Sequence, residues 1–598
     1  MGRRLPAGER IDVRNGASSV GGGELSVRGS RGGREVRRRF VFPVSDIRTL
    51  SRSMLLSALS RRDNRLTRRV QPVHAAVVLG AGLLGAPAVA LSYPPSSDLA
   101  LHEGMVALLV HRADQAFAPP GLYELALGHG NQLVYLLAWP LALALGSALA
   151  CRLVMFAAIA ATIGFAARLA LHLGKSPWAA LAVAPAALGW AFYWGFVPQM
   201  LGLALWVGAL PLLDRASIAA PGRAAPRDAA LATLAVAALG LAHVASMACA
   251  CLASGVLALV RPIDRRTPLR LAPSLAGACL LLVEAARERR AETPLAHLFA
   301  SRVLWHPLAA KLRALAANVM GGHGTLVEAT LVLLVVVAAV VWRTTRVEGA
   351  RDRASLRIAI ERRRFSMVVA ALLVAYLVAP YSVNFGAMLY VRFLAPAFVL
   401  GIVLLAPARE ASGPLVAAPA IALAVAPLVV ALPQMTVAAS QERDVASLID
   451  RVDEGSAVAV LHFGKHDRSL LFDPTALGDR VLAERGGRLL LSFAEYPVAP
   501  VVVRPELRWD ATLLRLYGQP GALRPAHDLR RLRWVLAHVH EAPLAPRVAR
   551  AFAPEGELVA RAGEWMLFRS TLPAVPVTAP DEPPPAEAET LQQRVNRQ

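Results

Sequence analysis

The chain has 598 residues, of which 56% are hydrophobic and only 18% are charged, and its mean hydropathy is +0.47. A soluble domain is typically about half apolar and about a quarter charged, so this composition indicates a protein of the lipid bilayer. The four cysteines all lie in apolar segments without a CxxC pair, which excludes a disulfide scaffold and a zinc ribbon. The net charge of +22 is uneven, because residues 1–73 alone carry 17 arginines against six acids.

Residues 1–73 form no convincing hydrophobic core. The glycines at 21–23 and the arginine clusters at 37–39 and 68–69 are typical of a disordered basic arm that flanks the membrane on its cytoplasmic side. A nucleic-acid-binding arm is the alternative. We favour the cytoplasmic flank and expect no nucleic-acid partner.

Twelve apolar segments follow, several of them shorter than the roughly 20 residues that a perpendicular membrane helix needs. They cover 74–92, 131–149, 152–172, 177–192, 199–213, 229–242, 244–260, 271–284, 325–342, 365–381, 390–406 and 414–432. The basic loops 261–270 and 343–364 should be cytoplasmic by the positive-inside rule. This requires segment 131–149 to lie on or dip into the outer face, which leaves about 11 transmembrane helices. The basic loop 285–324 then lies outside, against the same rule.

The long apolar segments end before residue 433. The topology above places the chain after this residue on the outer side of the membrane. Short β-type runs alternate with helix-compatible stretches, and a hairpin is predicted around Gly563. The β-type runs cover 457–463, 488–493, 501–504 and 534–539. We therefore expect an α/β domain over 434–571 and a disordered Pro- and Glu-rich tail over 572–598. The predicted fold is an all-α polytopic membrane protein over 74–433 with a C-terminal extracytoplasmic α/β domain.

The first outer loop, 93–130, carries the clearest candidate chemistry. A helix that starts near Asp98 places Asp98 and His102 on one face. Glu103 follows His102 and lies on the adjacent face of the same helix. A carboxylate beside a histidine can deprotonate a hydroxyl or share a divalent cation. Composition alone favours the alternative, an amphipathic interfacial helix whose polar face meets water.

Arg392 lies between Tyr390 and Phe393 at the expected outer mouth of a late helix. Its planar fork of donors suits a lipid-linked phosphate, and a snorkelling arginine in an interfacial aromatic belt is the alternative. His243 lies at an outer turn between two apolar segments. It could contact substrate, but we favour a structural role in which it forms a hydrogen bond between packed helices. Trp194 belongs to an outer aromatic turn that is either an interface belt or a wall facing sugar or lipid.

Other motifs are weak or absent. The sequence has no Walker loop, no GxGxxG after a strand and no GxSxG elbow, so chemistry driven by a bound nucleotide is not indicated. His462, His466 and Asp467 have a spacing that could hold a metal. Without an HExxH motif this pattern is a weak signal, and we predict no metal site there.

The order of these features resembles the C-type (GT-C) membrane glycosyltransferases, which take a sugar from a polyprenyl-phosphate carrier at the outer face. The matching parts are a basic N-terminus, one spanning helix and a long outer loop with the early acid Asp98. Residues 195–205 look like the family's outer turn into the following helix. Residues 390–396 look like its Arg-Tyr/Phe-Leu-x-Pro run, which opens a late helix. Many members also end in an outer α/β domain similar to 434–571.

The resemblance implies roles for the candidate residues. Asp98 would be the general base for the acceptor hydroxyl, with Glu103 as the reserve candidate, and Arg392 would hold the phosphate of the lipid donor. The further substrate-binding candidates are His102, His243, Trp194 and Tyr390. The partners it implies are a polyprenyl-phosphate sugar, membrane lipid, and a glycan, lipid or protein acceptor. Metal-dependent members carry a second acid in the next outer loop, and 190–199 has none, so no cofactor or metal is expected.

The sequence therefore predicts an enzyme of the bacterial inner membrane, with a cytoplasmic N-terminus, that transfers one sugar to a cell-envelope acceptor. The alternative is a non-catalytic polytopic protein, either a transporter of lipid-linked glycans or an assembly partner. A transporter is expected to show inverted repeats with matched broken helices. No convincing internal repeat is present, and the long first loop with its acid favours the enzyme.

Overall fold

The computed structural model describes most of the chain from residue 73 onwards. The described residues are 10–12, 22–31, 34–43, 73–90, 93–218, 224–290, 303–322, 325–344, 363–383, 387–409, 413–465, 467, 469–576, 578 and 588–597. Before residue 73 they form three strands, Arg10–Asp12, Gly22–Arg31 and Arg34–Pro43, which pair antiparallel in chain order. Most of the predicted basic arm lies outside these residues, as do most of loop 343–364 and part of loop 285–324, so their disorder and topology stay predictions.

Helices dominate residues 73–449 and follow the predicted apolar segments closely. In chain order the main helices are Val73–Ala88, Leu99–His111, Leu133–Leu145, Ser147–His172, Val197–Ile218, Ala224–Ala242, Val244–Leu259, Thr267–Arg290, Thr325–Thr344, Arg364–Val378, Leu394–Leu405 and Pro414–Ile449. Segment 177–192 is broken into short turns, because proline and glycine interrupt helical hydrogen bonding. These turns are Pro177–Val183, Ala184–Ala187 and Trp190–Trp194. Two further short helices are Leu308–Arg313 and Leu315–Met320.

Five of the described helices are long and apolar enough to cross a membrane by length and composition. They are Ser147–His172, Val197–Ile218, Ala225–Ala242, Thr267–Glu288 and Pro414–Ile449. Their outward faces carry largely exposed leucines and valines, such as Leu282 and Val429, which water would not favour and lipid would. The fold is thus mostly helical with an apolar outer surface, and the number of 11 crossings stays a prediction.

The helix Leu99–His111 is not the amphipathic interfacial helix that composition alone favours. Every residue from Leu99 to Leu109 is buried, including His102 and Glu103. The helix packs on Leu133–Leu145, on Ser147–His172 and on the short helix Arg480–Arg485 of the C-terminal region. Its polar side chains are therefore enclosed by protein, where they need partners or a function.

The C-terminal region contains the predicted α/β domain, built on a five-stranded sheet. The strand order is Arg488–Leu489, Ala457–Phe463, Trp534–Val539, Trp565–Ser570 and Gly556–Ala562. The first three strands are parallel, and the last two form the predicted antiparallel hairpin. Gly563 turns that hairpin with φ +53°, a left-handed conformation that glycine adopts readily.

Both faces of this sheet are covered. Because side chains alternate along a strand, Val458 and Val460 join the core that is continuous with the membrane helices. Ala459 and Leu461 face a second core on the other side of the sheet. Further helical turns, Pro474–Asp479, Phe493–Glu495, Ala511–Leu514 and Ala545–Phe552, connect the strands.

The structure differs from the expected domain limits at two places. The helix Pro414–Ile449 runs without a break through residue 433, so the predicted boundary lies inside a helix. Residues Leu591–Arg597 form a helix within the predicted disordered tail. Leu591 and Val595, which are one turn apart, are buried against the α/β domain and explain why this short segment is ordered.

The first outer loop and the α/β domain are joined directly. The strand Tyr123–Leu125 pairs antiparallel with Val501–Val503, and the Tyr123 hydroxyl donates to the carbonyl of Gly487 at 2.6 Å. A loop and a domain that share a sheet lie on the same side of the membrane helices. Residues near Asp98 are therefore enclosed between the helical bundle and the α/β domain.

Candidate functional site

Asp98 is held in place through its backbone. It immediately precedes the helix Leu99–His111, and its side chain makes no capping hydrogen bond to that helix. Its N–H donates to the carbonyl of Trp194 at 2.9 Å, and the N–H of Ser97 donates to that of Tyr193 at 2.9 Å. The carboxylate is thus positioned by main-chain contacts and is left to face a cavity.

Gly195 makes this close approach possible. It follows the turn Trp190–Trp194 with φ +73°, a conformation that disfavours other residues. A Cβ atom at this position would lie 2.6 Å from Oγ of Ser96 and 2.7 Å from the amide nitrogen of Asp98. The outer aromatic turn can therefore contact the Asp98 backbone only because residue 195 has no side chain.

Arg392 enters the same cavity from the short turn Tyr390–Phe393. One terminal nitrogen donates to Oε1 of Gln199 at 2.9 Å and to Nε2 of His243 at 2.7 Å, and the other donates to the carbonyl of Ala387 at 3.3 Å. Because arginine only donates, His243 accepts at Nε2 and is the neutral ring with its proton on Nδ1. The guanidinium also lies 5.0 Å from the centre of the Phe196 ring. All of these hydrogen-bond partners are uncharged, and the carboxylate whose charge acts on Arg392 is that of Asp98, with which no hydrogen bond or ion pair is formed among the described contacts.

The cavity between Asp98 and Arg392 has a volume of about 390 Å³. Five of the seven sequence-predicted site residues line it, which are Asp98, His102, Trp194, His243 and Arg392. His102 is fixed by a 2.8 Å hydrogen bond between its Nδ1 and the hydroxyl of Tyr135. Residues separated by almost 300 positions in the sequence thus form a single site.

The other two predicted residues do not line the cavity. Glu103 is fully buried, and its Oε1 lies 3.4 Å from Nε of Arg152 on the helix Ser147–His172. The hydroxyl of Tyr390 forms a hydrogen bond of 3.1 Å with Nδ1 of His306, and the centre of its ring lies 4.7 Å from Nζ of Lys311. Both side chains stabilise packing around the site rather than contact its contents.

The structure adds lining residues that sequence reasoning did not identify. Phe493 and Tyr496 come from the α/β domain, with the Phe493 ring 4.8 Å from the His102 ring. Together with Tyr135, Trp194 and Phe196 they give the cavity five aromatic lining residues. Aromatic faces suit the apolar face of a sugar ring and the first units of a lipid chain. No local pattern marks Phe493 or Tyr496, because only the fold brings the α/β domain to this position.

A second carboxylate also lines the cavity. Glu288 lies near the end of the helix Thr267–Arg290, in the basic stretch 285–324, where the surrounding arginines obscure it in the sequence. One turn earlier, Glu284 accepts from the N–H of Gly130 at 3.0 Å. Glu288 is thus an acidic lining residue of the cavity that lies outside both the first outer loop and loop 190–199.

Two residues of the cavity wall have strained backbones. Asn131 and Met388 are the described non-glycine residues with positive φ, at +65° and +58°. The side chain of Asn131 accepts from the N–H of Val244 at 3.0 Å and so holds the turn that carries His243. Such conformations cost about 1–3 kcal/mol each and persist where the surrounding structure requires them, often at functional sites.

The environment of Asp98 changes its acidity. Removal from water raises the pKa of the Asp98 carboxyl to about 7. The positive charge of Arg392 acts in the opposite direction, and the negative charge of Asp473 raises the pKa further. A carboxylate with a pKa near neutrality is suited to take a proton at physiological pH, since it is then partly ionised and still basic.

A metal centre is not indicated by side-chain clustering. Across the described residues, no group of three His, Cys, Asp or Glu side chains is arranged to hold a metal ion. His462 and Asp467 are described, whereas His466 lies outside the described residues. The expectation of no metal cofactor stays a prediction.

Comparisons with known proteins give distant structural likenesses. A scan of family models finds no match, and no curated protein matches. ArnT from Cupriavidus metallidurans in the apo state is similar with a TM-score of 0.48 and 13% identity, covering 84% of this chain and 98% of that one. The same protein bound to undecaprenyl phosphate gives a TM-score of 0.47 and 12% identity, with coverage of 85% and 99%. Since both TM-scores lie below 0.5, the assignment of a function rests on the cavity itself.

Proposed function

We propose that this chain transfers a sugar from a polyprenyl-phosphate donor to a cell-envelope acceptor at the outer face of the bacterial inner membrane. The observation that carries the proposal is the presence of Asp98 and Arg392 in one cavity of about 390 Å³. A carboxylate that takes a proton and an arginine that holds a phosphate are the two groups that this reaction needs.

Arg392 is the proposed phosphate-binding residue. Its hydrogen-bond partners Gln199 and His243 are neutral, so they orient the guanidinium without cancelling its charge. A phosphate that binds beside the partly buried Arg392 gains a charge-assisted interaction that is stronger than the same contact in bulk water. The polyprenyl chain of such a donor would remain in the bilayer beside the apolar outer face of the helices.

Asp98 is the proposed general base. The acceptor hydroxyl oxygen forms the new bond to C1 of the sugar, and the bond between C1 and the phosphate oxygen breaks with its electron pair on the phosphate. Asp98 takes the proton that the hydroxyl loses, while Arg392 stabilises the charge that develops on the leaving polyprenyl phosphate. The leaving group arrives with the donor, so no nucleotide is needed.

The location follows from connected elements. The first outer loop and the α/β domain share a sheet and enclose the cavity on one side of the membrane helices. The basic arm 1–73 and the loop 261–270 favour a cytoplasmic position for the opposite side. This supports an extracytoplasmic site and a cytoplasmic N-terminus.

The test is sugar transfer by the purified protein in lipid, from a panel of radiolabelled polyprenyl-phosphate sugars. We expect Asp98→Asn to lower transfer by about 10²–10⁴-fold, the usual contribution of a general base. Asp114→Asn is the matched control, because Asp114 is an exposed acid of the same outer loop. Equal transfer by wild type and Asp98→Asn would exclude Asp98 as the base, and no transfer from any donor would refute the enzyme.

A further inference from the structure

The α/β domain contains a cleft that is larger than the central cavity. Its volume is about 960 Å³. It opens beside the end of the strand Ala457–Phe463 and the segment around Asp473. The turn at Tyr517 and the helices Ala545–Phe552 and Leu591–Arg597 complete its walls. Nothing in the proposed chemistry of Asp98 and Arg392 uses this space.

The cleft wall has a distinct chemical character. It presents the side chains of Thr475, Gln519 and Gln592, which can donate and accept hydrogen bonds, and the ring of Tyr517, which is 39% exposed. Among the described residues that line it there is no lysine or arginine, and Asp473 is its one carboxylate. A phosphate would meet no lysine or arginine among these described lining residues, in contrast to the cavity that contains Arg392.

These groups suit an uncharged ligand rich in hydroxyls. Amide, hydroxyl and carboxylate groups match sugar hydroxyls in both directions, and an exposed tyrosine ring can pack on the apolar face of a pyranose. Gly518 follows the tyrosine, and a Cβ atom there would have no atom beyond its chain neighbours within 4 Å, so this part of the wall is open. The mixture of a few polar groups and an aromatic surface is what small-molecule sites generally present.

The cleft also reaches the residue next to Asp98. The N–H of Asp473 donates to Oγ of Ser97 at 2.9 Å, and Ser97 directly precedes Asp98. The carboxylate of Asp473 accepts from the N–H of Thr475 at 2.9 Å, which fixes this wall. A lining residue of the cleft, Asp473, is therefore hydrogen-bonded to the neighbour of a lining residue of the central cavity, Asp98.

A buried hydrogen-bond chain supports the wall from behind. Nδ1 of His462 lies 3.2 Å from Oγ1 of Thr475 and 3.0 Å from Nδ1 of His538, whose Nε2 lies 3.0 Å from a carboxylate oxygen of Glu564. Since a carboxylate accepts, neutral His538 donates at Nε2 and accepts at Nδ1 from His462. This chain fixes the ring of His462, which itself lines the cleft, while Thr475 is held by the bond from its N–H to Asp473, so the wall is preorganised.

From this arrangement we infer that the α/β-domain cleft binds an uncharged, hydroxyl-rich glycan, which is the acceptor of the sugar transfer. The role of this glycan as the acceptor rests on the proposed function. The binding of a glycan rests on the cleft alone. The donor phosphate then binds beside Arg392 and Asp98 in the central cavity, and the acceptor glycan binds in the cleft, whose Asp473 contacts the residue that precedes Asp98.

The test is glycan binding without any donor. Full-length protein in lipid nanodiscs is mixed with the methyl glycosides of glucose, galactose, mannose, arabinose and N-acetylglucosamine and with maltotriose, and contact is read by saturation-transfer NMR. We expect at least one of these probes to bind wild type. Tyr517→Ala and Gln519→Ala should each raise its Kd by about tenfold, which is about 1.4 kcal/mol. Asp114→Asn should leave it unchanged, because Asp114 is an exposed acid of the first outer loop that does not line the cleft.

The outcomes separate the two proposals. Binding that depends on Tyr517 and Gln519 supports the cleft even if no sugar transfer is found, which would refute only the transferase. No binding of any probe to wild type overturns the cleft, as does binding that is equal in both variants. If Tyr517→Ala fails to fold, the exposed Gln519→Ala decides, with Tyr517→Phe expected to bind like wild type because it keeps the ring.

Discussion

Arg392 and Arg364 are both arginines of the helical domain, yet they are held in opposite ways. Arg364 forms a bidentate ion pair with Asp214, with nitrogen–oxygen distances of 2.7 and 2.9 Å, and Nε2 of His172 contacts the same carboxylate at 2.9 Å. Arg392 instead donates to an amide, an imidazole and a carbonyl, none of which is charged. A charge matched by a carboxylate joins helices, whereas an unmatched charge can bind an anionic ligand.

The surroundings of the two arginines agree with this difference. The Arg364 pair connects the beginning of Arg364–Val378 with the helices that carry Asp214 and His172. Arg392 borders a cavity that also contains Asp98. We therefore expect changes at Arg392 to affect ligand binding and transfer, and changes at Arg364 to affect stability. Four measurements test this difference between the two arginines.

Arg392→Ala should have the largest effect. Loss of a charge-assisted contact to phosphate beside a partly buried arginine typically costs about 3–4 kcal/mol, so we expect kcat/KM for the polyprenyl-phosphate sugar to fall by about 10²–10³-fold. Arg392→Lys should recover part of this loss, since it restores the charge without the planar fork. Wild-type transfer by Arg392→Ala would show that the arginine does not bind the donor.

Arg364→Ala should instead lower stability. Asp214 would be left buried without its main partner, which we expect to cost about 2–3 kcal/mol, reduced from the value of a fully buried pair because Arg364 is partly exposed. Unfolding in detergent by chemical denaturant measures this cost, and transfer per folded molecule should match wild type. Replacing both partners, with Arg364→Met and Asp214→Leu, should restore most of the stability. A stable but inactive Arg364→Ala protein would contradict the comparison.

The pH dependence of transfer should also distinguish the roles of Arg392 and Arg364. Since Asp98 must be ionised to act as a base, kcat/KM should fall about tenfold per pH unit below its pKa of about 7. Arg392 lowers this pKa, so the residual activity of Arg392→Ala should show a midpoint at higher pH, and Arg364→Ala should keep the wild-type midpoint. An identical midpoint in all three proteins would mean that another group controls the profile.

Glu288→Gln should have the smallest effect. Its carboxylate borders the cavity without belonging to the proposed base or phosphate site, so loss of one hydrogen bond to substrate should raise KM about two- to tenfold with kcat unchanged. Glu328→Gln, an acid of the helix Thr325–Thr344, is the matched control. A fall in kcat of a hundredfold or more would give Glu288 a catalytic role and would require a new assignment of the base.

Local sequence predicted part of the site because the relevant residues are close in the chain. Asp98 and His102 are one helical turn apart and both line the cavity, as their spacing indicates. Glu103 is rotated by one further position, which turns it away from the cavity and towards Arg152. Tyr390 precedes Arg392 by two positions in the short helix Tyr390–Phe393. Because this 3-10 helix has about three residues per turn, the two side chains point in different directions.

Other parts of the site could not be predicted from local patterns. Phe493, Tyr496 and Glu288 reach the cavity from elements far away in the sequence, and nothing in their neighbourhood distinguishes them from packing or surface residues. The burial of the helix Leu99–His111 was likewise hidden, because the α/β domain that covers it begins more than 300 residues later.

The amino-acid sequence by itself determined the positions of the apolar helices, most strands of the α/β domain and the identity of the two charged residues that we propose for the chemistry. It could do so because hydrophobic periodicity and single charges in apolar surroundings are local properties. Only the tertiary structure decided that Asp98 and Arg392 share a cavity, that the partners of Arg392 are neutral while Arg364 is matched, and that a second cleft adjoins Asp98. These depend on contacts between distant segments, which packing selects and no local pattern contains.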